Sequence, residues 1–167
     1  VDLAKLKAEV KHQYHQEAGT GIREWLFAHI DSVSKLGSQL APISNWGQQL
    51  PGARYVMEKT IGIARDRSLP TFTSTTFSTW MNERSPRVSL SDAEHKVLLF
   101  PDTYTEYSDP APGKAAVKVL ESLGCHVDVA PSVRSSGRAP YSKGFLDKAR
   151  EIGEHNVETL APWIDRG

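Results

Sequence analysis

One cysteine in 167 residues, Cys125, leaves this chain no internal disulfide and no self-contained cysteine cluster. Surplus charge is missing too. Twenty Lys and Arg balance twenty Asp and Glu, so there is no basic stripe to hold a phosphate backbone, and nucleic acid is not an expected partner. No apolar run reaches the ~20 residues that a membrane span needs, so no transmembrane segment is expected. The amino end is a charged amphipathic pattern rather than a secretory signal. These absences point to a cytoplasmic chain, at most peripheral to the inner face of the membrane. Residue 1 is Val rather than Met, which reads as a processed chain or an excerpt, and Gly167 reads as the residue that closes the last helix.

The residues present divide into two styles. Residues 1–84 read as a helical connector. Asp2 is placed to cap a helix with Leu3, Leu6, Val10 and Tyr14 as its apolar, inward stripe, ended by Gly19. Thr20 is placed to cap a second, with Ile22, Trp25, Leu26, Ile30, Val33 and Leu36 inward and Gly37 just beyond it. "LAPISNWGQQLPG" reads as a loop with at most a turn near Trp46. Pro51 suits the first position of a short helix carrying Val56, Met57 and Ile61 before Gly62. Phe77, Trp80 and Met81 repeat at helical spacing. Residues 85–95 are the linker.

Residues 96–167 read as a partial α/β domain. "KVLLF" and "CHVDV" are short apolar strands. Between them Asp109 and Pro110 open a helix with Ala116, Val117, Leu120 and Leu123 inward, stopped by Gly124. After them Ser142 is expected to cap a long helix whose face carries Phe145, Leu146, Ala149, Ile152, Val157 and Leu160, kinked or restarted near Pro162. The fold class is therefore α/β, an N-terminal helical segment followed by a β-α-β-α unit with a short parallel sheet. Two strands make a poor sheet, which points to a truncated sheet, or one completed by the first half or by a second copy in a homo-oligomer.

Ligands of open parallel sheets lie beyond the carboxyl ends of the strands. Two long loops leave those ends, residues 101–113 and 130–144. Their convergence would bring Asp102, Thr103 and Thr105 to Arg134, Ser135, Ser136, Gly137, Arg138 and Tyr141. Ser, Thr, Asp and Gly are also ordinary turn residues. No histidine has a recognisable spacing to the serines, and "SSG" is not a nucleophile elbow, so hydrolysis is disfavoured. "PGKAA" is not a P-loop. His12 and His15 lie one turn apart and read as a solvated face rather than a metal pair. His29 reads as a hydrogen-bonded core residue, and Cys125 as a buried, inert thiol.

"LLFPDTYTEYSDPAPGKAAVKVLESLGCHVDVAP" and "GRAPYSKGFLDKAREIGEHNVETLAPWIDRG" resemble the cysteine-rich domain of FAD-linked, iron–sulfur oxidoreductases. The group includes the D-lactate and D-2-hydroxyglutarate dehydrogenase type, glycolate oxidase iron–sulfur subunits, a subunit of anaerobic glycerol-3-phosphate dehydrogenase, and heterodisulfide reductase. "VDLAKLKAEVKHQYH" resembles the stretch after the last Cys-Pro of their ferredoxin motif. In this resemblance Ser135 and Ser136 stand where the family has paired cysteines, Gly137 and Arg138 match its Gly-Arg, and Asp102 and Thr103 stand where the wider family has Gly-Cys. The resemblance implies a parent dehydrogenase that uses FAD and iron–sulfur clusters to oxidise a 2-hydroxy acid. It implies no cofactor, no metal and no turnover in this chain alone, which would dock against other domains of the parent and shape the electron exit. The alternative reading is a small-anion-binding module using Arg134 and Arg138, or an assembly module, with no redox role.

Overall fold

A computed structural model describes residues 2–165; the closing role expected of Gly167 lies outside the described residues. Ten helices and two strands follow one another along the described chain. α1 (Leu3–Ala18) starts at Asp2, whose carboxylate accepts from the Ala4 and Lys5 amides. α2 (Ile22–Ala28) and α3 (Ile30–Gln39) meet at His29, whose backbone (φ −105°, ψ 20°) breaks the single helix the periodicity suggests. Gly21, not Thr20, is the N-cap of α2.

α4 (Ala41–Gln49) occupies the stretch expected to be a loop. Pro42 is tolerated because it sits in the first turn, where its missing N–H is no loss. Asn45 then fastens the helix, donating to the Phe72 carbonyl and accepting from the Phe72 amide, both at 2.8 Å. Gly37 lies within α3 rather than past its end, because the Phe72 ring packs against its bare backbone. α5 (Pro51–Ile61) starts at Pro51 and ends at left-handed Gly62, as its sequence indicates. α6 (Phe77–Glu83) is capped by Thr76.

β1 (His95–Leu99) and β2 (Cys125–Val129) pair in parallel, from His95 opposite Cys125 to Leu99 opposite Val129. Between them run α7 (Thr103–Tyr107) and α8 (Ala111–Ser122), and after them α9 (Arg138–Ser142) and α10 (Leu146–Ile164). The expected α/β class is observed, with a two-stranded parallel sheet among the described residues. Ser142 ends α9 instead of capping α10, and its hydroxyl donates to the Ala139 carbonyl. α10 runs through Pro162 without restarting. No helix among the described residues is long and apolar enough to cross a membrane.

The core is small and lies beside the sheet. Phe77, Val117, Cys125 and Val127 are buried, with Trp80, Met81, Val97, Leu99, Leu120 and Val129 packed on them. Burying a side chain of the Phe77 class stabilises by roughly 1.5–3 kcal/mol. α8 presents Gly113, Val117 and Glu121 inward, while Ala116 and Leu123 face solvent. The apolar pattern alone misplaces this face, because Glu121 is buried as one half of an ion pair. Arg84 meets it with two bonds, 3.0 and 2.6 Å, and the Arg87 amide adds a third at 3.0 Å. His126 likewise takes the Val88 carbonyl at 2.8 Å. Residues 84–88 are thus strapped to α8 and β2 by the side chains of Arg84, Glu121 and His126.

The first half departs most from its hydrophobic pattern. Leu3, Leu6, Val10 and Tyr14 form the stripe expected inward, yet they are 75%, 52%, 57% and 62% exposed. Ala8 is buried instead. The polar face of α1 is spent on the chain: His12 Nδ1 lies 3.0 Å from the Gly144 carbonyl, His15 Nε2 lies 2.9 Å from that of Lys143, and Lys11 donates to that of Ser142. These histidines are therefore structural ties, not a solvated face. Ile22, Trp25 and Leu36 also face solvent, as do Val56 of α5 and Val157 of α10.

Candidate functional site

Both loops leave the carboxyl ends of the paired strands and meet at a cleft of about 820 Å³. Asp102 and Thr103 enter from the first loop, Arg134 and Ser135 from the second. Thr105, Ser136, Gly137, Arg138 and Tyr141 are not on its lining. The expected rim thus exists, but it joins Asp102 to Ser135 rather than to Ser136, which faces solvent.

Each of these positions has a local physical reason. Asp102 caps α7: its Oδ1 accepts from the Tyr104 and Thr105 amides at 2.7 and 3.1 Å, and its Oδ2 from the Thr105 hydroxyl at 2.9 Å. Burial pushes this carboxyl up, but the bonds from Thr105 and Tyr104 outweigh it and hold the group below its ordinary range. Thr103 donates to Asp31 Oδ1 at 3.0 Å, tying α7 to α3. Gly137 takes a left-handed backbone (φ 71°) against α10, where an added Cβ would lie 3.3 Å from the Ala149 carbonyl. Arg134 forms a 2.6 Å pair with Glu151. Arg138 is exposed and stands outside the cleft.

Several residues the pattern does not single out complete the site. Asn156 is buried and holds the serine loop with three bonds. It accepts from the Arg134 amide at 2.8 Å and donates to the Arg134 and Ser135 carbonyls at 3.3 and 3.0 Å. His155 Nε2 donates to the Ser132 carbonyl at 2.8 Å, and Ser132 itself holds a positive φ of 63°. Asp31 and Lys35 of α3, and Glu106 and Tyr107 of α7, line the remaining cleft with Lys148 of α10. Glu106 accepts from the Ser78 amide and hydroxyl at 3.1 and 2.8 Å. Burial, followed by the charges of Asp31 and Glu106, pushes the Tyr107 phenol up to about 12. The Asp31–Lys35 spacing of four is visible in the sequence, but nothing local ties it to loops so distant in the chain. His29, expected in the core, is half-buried on the cleft wall, bonded to the Trp25 carbonyl and stacked on the Trp25 ring.

The donor set does not suit an iron–sulfur cluster, which takes thiolates. Ser135 and Ser136 offer hydroxyls, hard ligands for a soft metal, and only Ser135 faces the cleft. Cys125 is buried in the core with Phe77, Val117 and Val127, so its thiol is not a substitute. Among the described residues, no group of three His, Cys, Asp or Glu could hold a metal ion. The chemistry available here is hydrogen bonding and charge.

The chain is similar to an anaerobic glycerol-3-phosphate dehydrogenase subunit of Escherichia coli strain K12, 28% identical over 139 residues, 83% of this chain and 35% of that protein. It is also similar to lactate utilization protein A of Bacillus cytotoxicus, 34% identical over 65 residues, 39% of this chain and 27% of that protein. The chain spans about a third or less of the length of these curated relatives. No protein-family model matches it, and no solved structure matches it. The glycerol-3-phosphate enzyme is one of those named by the sequence resemblance, so that part of the expected kinship holds.

Proposed function

We propose that this chain is the docking part of a larger FAD- and iron–sulfur-dependent oxidoreductase that oxidises a 2-hydroxy acid of the D-lactate type. In this reading residues 1–84 are the connector, 85–95 the linker and 96–167 the degenerate cysteine-rich-type domain. The chain packs against the cluster-bearing part of its parent and shapes the surface where electrons leave. Flavin and clusters belong to the parent, and the chain alone turns nothing over.

The observation that carries the reading is the reversed amphipathicity of α1. Its histidines face the chain while Leu3, Leu6, Val10 and Tyr14 face outward. An apolar stripe of this length in water is costly and marks an interaction surface. The names of the two relatives, a dehydrogenase subunit and a lactate utilization protein, favour an oxidoreductase parent. The iron–sulfur and flavin parts rest on the sequence resemblance.

The test is the double variant Leu6→Asp, Val10→Asp. In the isolated chain the melting temperature should hold, since both side chains are solvent-facing. In the parent enzyme, turnover with a 2-hydroxy acid and its electron acceptor should fall at least tenfold, the loss of about 1.4 kcal/mol of association or alignment. Unchanged turnover would overturn the docking role.

A further inference from the structure

We propose that the outer face of α4, with the groove between α4 and α5, is a self-association surface that takes the same face of a second copy of this chain. The inference does not rest on the docking role, which uses α1.

Between Lys35 and Arg54 the sequence carries no charged residue. α4 falls wholly inside that stretch. Spacings of three and four put Leu40, Ile43, Gly47 and Leu50 on one side of it, with Trp46 beside them. Leu40, Ile43, Trp46 and Leu50 are exposed, and so is Val56 of α5, which lines the groove. These side chains offer on the order of 600 Å² of apolar surface, against roughly 600–1,000 Å² per partner in a stable interface. The surface of a soluble monomer normally breaks up such a patch with charge. An uncharged patch built around a tryptophan has the composition of an interface core.

The groove measures about 440 Å³ and is lined by Gly47, Gln48, Gly52, Ala53, Val56 and Met57. Gly47 and Gly52 are helical without a positive φ, and a Cβ added at either would meet nothing. Gly37 and Gly113 differ, because the rings of Phe72 and Phe77 fill the space beside them. Glycine weakens a helix, and the chain itself supplies no packing reason for it at 47 and 52. A side chain arriving from outside supplies one. Gln48 lines the same groove, and its Nε2 is buried with no hydrogen-bond partner among the described residues. The terminal torsion of a glutamine is soft, so a modest rotation offers this donor to a chain seated in the groove.

Shape and charge favour a second copy as the occupant. Trp46 is a bulky knob one residue from Gly47, which lines the hole. Knob and hole on one face are the self-complementarity that a two-fold dimer requires. Nothing charged on this face repels an identical face, and the net charge of zero adds no long-range repulsion between copies. Homodimer interfaces are also the more apolar class.

The test is sedimentation equilibrium of the 167-residue chain across micromolar concentrations. Twice the monomer mass is expected, falling to the monomer mass on dilution. Gly52→Leu fills the groove where the chain itself leaves room. It should weaken association roughly tenfold or more, with circular dichroism showing an intact fold. Trp46→Glu should do the same. The α1 double variant Leu6→Asp, Val10→Asp should leave association unchanged. A chain that stays monomeric throughout would overturn the proposal and leave this face to a different partner. So would a dimer that persists in Gly52→Leu, or one lost only in the α1 variant.

Discussion

Asn156 grips Arg134 at both its backbone groups, accepting from its amide at 2.8 Å and donating to its carbonyl at 3.3 Å. A third bond reaches the Ser135 carbonyl. The loop that resembles a cluster-binding loop is therefore positioned by a side chain from α10. Asn156→Leu should cost about 2–3 kcal/mol, because it strands buried loop groups as well as losing the bonds. Urea unfolding gives the stability. Hydrogen exchange at residues 134–136 should accelerate more than in α8; equal acceleration everywhere would mean Asn156 is merely a core residue.

Asp102 is a helix cap. Asp102→Ala should therefore destabilise by about 1 kcal/mol, while Asp102→Asn or Ser, which also cap, should recover most of it. Thermal unfolding of the three variants distinguishes this from a role in which only a charged carboxylate serves.

The buried Glu121–Arg84 pair predicts an acid limb of the stability curve. Hydrogen bonding from Arg84 holds Glu121 below its ordinary 4.5, against the opposing push of burial, with the Arg87 amide helping. A depressed folded-state value means the unfolded chain binds the proton first. The contribution is present above about 4.5 and is lost as pH falls through the lower folded-state value. Glu121→Ala should cost about 3 kcal/mol at neutral pH by leaving Arg84 buried without a partner. Denaturant midpoints measured from neutral to acid pH should flatten in that variant.

Tyr107 predicts a limb at the other extreme. The folded chain holds its phenolic proton to about 12, against an ordinary 10.0. Between these values the folded state binds more protons than the unfolded one, so stability declines as pH rises above 10.0. The Tyr107 phenol should ionise late in an ultraviolet titration. Tyr107→Phe should remove that step; its persistence would assign the late phenol elsewhere.

Gly144 sits under α1 with φ 84°, where an added Cβ would lie 2.6 Å from the Lys11 Cβ and 2.8 Å from the His12 nitrogen. Both contacts are with parts of α1 that cannot swing aside. Gly144→Ala should therefore cost about 1–3 kcal/mol and loosen α1 before the sheet. Hydrogen exchange of α1 amides, compared with those of β2, reads this directly.

Local rules account for much of what is legible in the sequence. Asp2 and Gly62 act at helix ends because capping needs only neighbours in sequence. Phe77, Trp80 and Met81 lie on one helix, as their spacing indicates, and the structure places all three at the core. Asn156 and Glu121 escape such a reading because each is a polar residue buried against a distant partner, and periodicity counts only apolar ones. The two loops are expected to meet, yet the residues that do so cannot be picked out locally. Backbone turns such as left-handed Gly137 decide which side chain enters the cleft.

The sequence by itself determined the two strands with their parallel pairing and the helix ends at Asp2, Pro51 and Gly62, set by a strong apolar run or by neighbours in sequence; it did not disclose α4, α7, α9 or the break at His29. Only the tertiary structure decided which face of α1 turns inward, whereas Val117 of α8 and Ile152 of α10 are buried as their spacing indicates. In α1, His12 and His15 found carbonyl partners at 144 and 143, contacts between segments more than 120 residues apart that no local pattern shows, and Leu3, Leu6, Val10 and Tyr14 were left facing outward.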